Sequence, residues 1–243
     1  EPEGLAHSFD IVHGGSVCAI GLAVADQQAA LARAGGLDVE DFAQPVAPEE
    51  WQIPGVRGVG GSLIYFVDGA SSEAMWAEEF PLALTEAKPR SDLTAIDHIA
   101  QTMQYEEFLS WTLYYTSLFD FTRMPQLEIA DPMGIVYSQA VESRSGAVRI
   151  TLNGSMAANA LSTRFVHNYF GAGVQQIAFA TPDIFAAAEK ARDVGSERAP
   201  CKVQLWGARA SAHVRMRVRV DAHVRTLVRE SVVRTRARAR VCV

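Results

Sequence analysis

The chain of 243 residues is 49% hydrophobic and 21% charged, with a mean hydropathy of +0.04 and no unbroken apolar run near the ~20 residues a membrane helix needs. That composition excludes a collagen-like, coiled-coil, wholly disordered or membrane-bundle protein. The formal charge of −6 sums two unlike parts: residues 1–194 hold 10 Lys+Arg against 25 Asp+Glu, and residues 195–243 hold 12 against 3, eleven of the twelve being arginine.

Three cysteines, Cys18, Cys201 and Cys242, are an odd number without C-x-x-C spacing. They argue against a disulfide framework or a cysteine zinc site and point to a reducing, cytoplasmic setting. Residues 1–15 carry no basic region followed by an apolar one, so no signal peptide is expected, and Glu1 reads as an internal start.

In chain order, residues 1–15 are expected to end a preceding module. Three segments then repeat: Ser16–Asp26, Ala95–Met103 and Gly173–Asp183, spaced by 79 and 78 residues, with Ala19, His98 and Gln176 at one equivalent position. Each reads as a short apolar strand followed by a helical pattern, the opening of a βα unit. Asp26 is a natural N-cap for a helix over 27–34, stopped by Gly35-Gly36. A second helix is predicted over Tyr105–Phe119, a third over Ala160–Phe170, and a fourth opening at Pro182. Strands are predicted at Gly61–Asp68, Gly134–Glu142 and Ala147–Asn153, the last two joined by a turn at Ser143–Gly146. Pro45–Pro54 and Phe80–Ser91 are the expected connecting segments.

The expected fold is therefore α+β: tandem βαβββ modules, one over 16–90, a second over 91–194 together with the start of a third, and that last module truncated. From Gly195 the pattern breaks. Val214–Val220 alternates like a strand, whereas Arg234–Arg240 is low-complexity and of one sign. Residues 195–243 read as a frame-shifted, non-native or disordered tail, as an edge strand with solvated arginines, or as a nucleic-acid-binding arm.

Paired modules of this kind form a curved sheet whose concave face can hold a metal ion or a polar ligand. His98 is the leading candidate, because it sits mid-strand in Ile96-Asp-His-Ile99, and simple alternation places it on the face opposite Asp97. Gln176 is polar at the equivalent position. Two polar side chains inside apolar strands are costly to bury without partners. His7, His13, His167, His213 and His223 read as surface or incidental, and the glycine runs at 58–61 and 171–173 read as turns.

Ile53–Asp68, Ile96–Ile99, Arg149–Asn153 and Gly173–Phe179 resemble the 4-hydroxyphenylpyruvate dioxygenase family of the vicinal-oxygen-chelate superfamily. Ala130–Ser138 and Leu152–Ser155 look closer to the dioxygenase-like C-terminal half of bacterial two-domain 3-dehydroshikimate dehydratases, whose separate barrel performs the dehydration. The resemblance covers about residues 1–194. It implies a divalent metal held by a histidine on one first strand, a histidine on the next, and a late glutamate. His98 matches the first ligand; the second position holds Gln176, and the glutamate would fall beyond Asp193, where no family motif continues. Ser138 and Asn153 match polar residues flanking the substrate.

The implied ion is Fe(II) for a dioxygenase and Mg or another divalent ion for a dehydratase-type parent. The implied ligand is a small aromatic 2-oxo acid, and the implied parent is a homo-oligomer. A 2-His-1-carboxylate face leaves open positions for a chelating substrate and O₂; a glutamine amide is the weaker ligand, so this chain is expected to lack dioxygenase turnover. Three functions stay open: part of a 3-dehydroshikimate dehydratase of quinate and shikimate catabolism, a 4-hydroxyphenylpyruvate dioxygenase of tyrosine catabolism forming homogentisate, or a non-catalytic ligand-binding or oligomerisation module.

Overall fold

The computed structural model describes residues 4–43, 46, 51–69, 72, 74–75, 93–183, 185–187, 203–206, 213–216 and 239–242. Two compact units emerge, one of residues 1–16 with 89–237 and one of residues 17–88 with 238–243.

The smaller unit opens with β1 (Ala19–Val24), whose Ala19, Ile20 and Leu22 are buried. Helix α2 (Gln27–Gly35) follows, and its start is set by Asp26, whose carboxylate accepts from Ala29 N at 3.0 Å. Strands β2 (Asp41–Phe42), β3 (Gly55–Arg57) and β4 (Leu63–Asp68) complete a βαβββ unit. β4 runs parallel to β1, with Ile20 opposite Ile64, and antiparallel to β3. Between β3 and β4 the expected glycine turn is a short 3₁₀ segment, Val59–Gly61, in which Gly60 and Gly61 take φ values of 65° and 77°. β4 therefore begins two residues later than predicted.

The larger unit repeats this plan. β5 (Ala95–Thr102) leads through a 3₁₀ turn at Tyr105–Glu107 into helix α3 (Phe108–Leu118). Strands β6 (Thr122–Arg123), β7 (Leu127–Asp131), β8 (Gly134–Glu142) and β9 (Arg149–Gly154) follow. β9 is parallel to β5, and β8 is antiparallel to β9. The sequence did not show β2, β3, β6 or β7, which are short or interrupt their alternation. β7 is stabilised by its hairpin with β8, whose turn carries a bond from Met133 N to Asp131 Oδ1 at 3.0 Å.

Helix α4 (Leu161–Tyr169) ends at Phe170 in the left-handed conformation, and β10 (Gly173–Ala180) then pairs antiparallel with β5. Gly173 packs so closely on the Tyr169 ring that a Cβ there would overlap it. Helix α1 (Leu5–His13) belongs to this larger unit. His13 is half-buried and not incidental: its ring stacks on Tyr169 with centroids 4.4 Å apart, and its Nδ1 lies 2.6 Å from the Tyr169 carbonyl oxygen. After β10, Asp183 caps a helix start, accepting from Ala186 N at 3.0 Å.

Within residues 195–243, three strands are described: β11 (Val203–Trp206), β12 (His213–Met216) and β13 (Ala239–Cys242). β12 pairs with β11 and with β10, and β13 with β1. The strand expected over Val214–Val220 is thus His213–Met216 within the described residues. The connecting segment at 80–91 and most of the arginine-rich stretch lie outside those residues.

Candidate functional site

The larger sheet has two dissimilar faces, and pairing register assigns each side chain to one. Ile99, Gln101, Val141, Ile150 and Leu152 face α3, where the buried Tyr115 hydroxyl donates to Gln101 Oε1 at 2.8 Å. Burial pushes the Tyr115 phenol well above its ordinary range.

The opposite face carries every candidate read from the sequence. Across the strands, Thr102 stands opposite Asn153 and Asn153 opposite Ser138. In the adjacent row Gln176 is opposite Ala100, which is opposite Thr151. One row further, Ala178 is opposite His98. His98 and Gln176 are therefore diagonal neighbours on one face, within reach of a common small ligand. Thr102, Ser138, Thr151, His98 and Gln176 are all buried.

One sequence expectation is corrected here. Pairing between β5 and β10 skips Asp97, since His98 opposes Ala178 and Ile96 opposes Phe179. That β-bulge breaks the alternation and brings the Asp97 carboxylate to His98, Oδ2 lying 2.6 Å from Nδ1. Asp97 is therefore not turned away from His98. A second bulge skips Gln175, between Val174 and Gln176, and the Thr102 hydroxyl donates to Gln175 Oε1 at 2.7 Å. The two bulged residues are 78 apart, the spacing of the sequence repeat, so an approximate two-fold axis relates them. Each lies immediately before the polar residue of its strand.

Behind Asp97 lies an ion-pair chain. Arg149 donates to Asp97 Oδ1 at 3.4 Å and to Glu142 Oε1 at 3.1 Å. The bond to Glu142 chiefly holds the guanidinium further above its ordinary range, partly offset by burial. Asp97, Gln175, Thr102, Arg149 and Glu142 were not singled out from sequence. The available signal was a pair of adjacent polar residues at the same repeat position, Asp97-His98 and Gln175-Gln176.

The resemblance implies a divalent ion on this face. His98 suits one ligand, with Nδ1 held by a carboxylate and Nε2 buried and unpartnered. Among the described residues, however, no group of three His, Cys, Asp or Glu side chains could close round an ion, and Gln176 offers an amide. These residues do not fit a 2-His-1-carboxylate centre.

Residues 1–80 match the family described as hydroxyphenylpyruvate dioxygenase, HPPD, N-terminal. A 3-dehydroshikimate dehydratase of Pseudomonas putida is 38% identical over 196 residues, covering 80% of this chain and 31% of that protein. A 4-hydroxyphenylpyruvate dioxygenase of Pseudomonas aeruginosa is 29% identical over 198 residues, covering 80% of this chain and 55% of the enzyme. Among solved structures, a xylose isomerase-like TIM barrel/4-hydroxyphenylpyruvate dioxygenase fusion protein is 35% identical with a TM-score of 0.64, covering 84% of this chain and 30% of that one. The chain thus spans about a third of the dehydratase and about half of the dioxygenase. With its tandem βαβββ units and this set of relatives, the chain is related to the hydroxyphenylpyruvate dioxygenase family and shares its vicinal-oxygen-chelate fold.

Proposed function

We infer that the chain is the dioxygenase-like portion of a 3-dehydroshikimate dehydratase-type protein, in which dehydration to protocatechuate belongs to a separate barrel. The observation that carries this reading is the 38% identity to a dehydratase over 196 residues, above the 26%, 29% and 32% to 4-hydroxyphenylpyruvate dioxygenases. The 35% identity to a barrel–dioxygenase fusion points the same way.

In this reading the polar face binds a small aromatic acid. Ser138 and Asn153, directly opposite each other on β8 and β9, flank the ligand, and His98 and Gln176 lie at its centre. Fe(II) would serve a dioxygenase parent, and Mg or another divalent ion a dehydratase barrel. This chain, with Gln176 where the family motif has histidine, does not perform oxidative decarboxylation. The test is oxygen uptake by the purified chain with Fe(II) and 4-hydroxyphenylpyruvate, together with the coding sequence upstream of Glu1. No uptake above the protein-free rate and an upstream (β/α)₈ barrel of about 250 residues are expected. Iron-dependent uptake, or an upstream βαβββ module in place of a barrel, overturns the reading in favour of a tyrosine-catabolic dioxygenase.

A further inference from the structure

His98 and Gln176 are each 8% exposed, and in each the Nε2 atom is buried without a hydrogen-bond partner. A buried polar group left unpaired costs about 1–3 kcal/mol. Here two such atoms occur at positions related by the repeat, on one face and one diagonal apart. Neither is rescued by the sheet, whose bonds engage only the backbone. The symmetric bulges place them there, and the Asp97 bulge also brings a carboxylate against His98 Nδ1.

That carboxylate decides the polarity of the pair. An ionised aspartate only accepts, so at 2.6 Å it accepts a hydrogen bond from His98 Nδ1–H, which leaves Nε2 of the neutral ring as an acceptor. Asp97 is itself held by Arg149, which Glu142 anchors in turn. Across the diagonal, the Gln176 amide nitrogen is a donor. An acceptor with a donor one diagonal away on the same face is the complement of a hydroxyl group, which gives one hydrogen bond and receives another.

We propose that this chain has replaced a metal centre by a metal-independent hydroxyl-binding pair, in which Asp97 holds His98 as the Nδ1–H tautomer while His98 Nε2 and the Gln176 amide grip one hydroxyl of a small phenol or cyclic alcohol. Asp97 is a positioning residue; His98 and Gln176 make the contact. The proposal deepens the reading of the polar face given above, but it does not depend on which parent the chain comes from.

The experiment is nitrogen-15 NMR on the full chain in the presence of a metal chelator, with protocatechuate as hydroxylated probe and benzoate as the control that lacks ring hydroxyls. His98 is expected to show a single Nδ1–H tautomer, and Asp97→Ala to convert it to a tautomer mixture while the remaining spectrum stays dispersed. Protocatechuate is expected to shift His98 Nε2 and the Gln176 side-chain amide saturably, and benzoate to leave them unmoved. Gln176→Ala is expected to weaken protocatechuate about tenfold, the loss of one well-placed hydrogen bond. Equal shifts with benzoate, no shift with protocatechuate, a doubly protonated His98 ring, or saturable one-to-one Co(II) binding through His98 once the chelator is removed would each overturn the proposal. Oxygen uptake and the upstream sequence test the parent's identity separately.

Discussion

The two faces of the larger sheet are built from the same strands yet differ in what they bury. Towards α3, Ile150, Leu152 and Val141 are fully buried; Thr112 donates to the Phe108 carbonyl at 2.8 Å and Gln139 Nε2 to the Met124 carbonyl at 3.0 Å, while Gln101 Nε2 is buried there without a hydrogen-bond partner. The other face buries Thr102, Ser138, Thr151, His98 and Gln176 instead. If the polar face binds the proposed ligand, substitutions on the two faces should separate cleanly in denaturation and ligand-binding measurements.

The largest separation is expected from Leu152→Ala. It removes a side chain that is 0% exposed on the α3 side and should cost about 2–5 kcal/mol of unfolding free energy, seen as a lower urea midpoint. Tyr115→Phe is milder, about 1–3 kcal/mol, because it leaves Gln101 Oε1 without its donor.

The same residue gives a pH signature. Burial raises the Tyr115 and Tyr114 phenols above their ordinary value of 10. Above that pH the unfolded chain loses their protons while the folded chain retains them, so stability is unaffected below about pH 10 and falls above it. Urea midpoints measured across that range should decline, and less steeply for Tyr115→Phe. The smallest stability effect is expected on the polar face: Asn153→Ala, at a half-buried position, should shift the urea midpoint by no more than about 0.5 kcal/mol equivalent while weakening protocatechuate binding. A loss as large as that of Leu152→Ala would mean that the polar face is structural and that the comparison fails.

A second contrast lies between first strands. β1 carries Ala19 at the repeat position and pairs with β4 without a register shift. β5 and β10 carry His98 and Gln176 there and are bulged one residue earlier. In both strands the polar residue follows directly on the bulged one.

Much of this was legible in the residues. The 79- and 78-residue offsets, the alternation of β8 and β9, and the Asp26 cap lie in local chemistry and periodicity, which are properties of the chain itself. They determined the α+β class, the tandem modules, and His98, Gln176, Ser138 and Asn153 as the residues to watch. Only tertiary structure decided that these four share one face, that Asp97 sits beside His98 and not behind it, and that Arg149 and Glu142 stand in support. Those facts depend on register between strands far apart in sequence, and a single skipped residue in a ladder reverses which way the next side chain points.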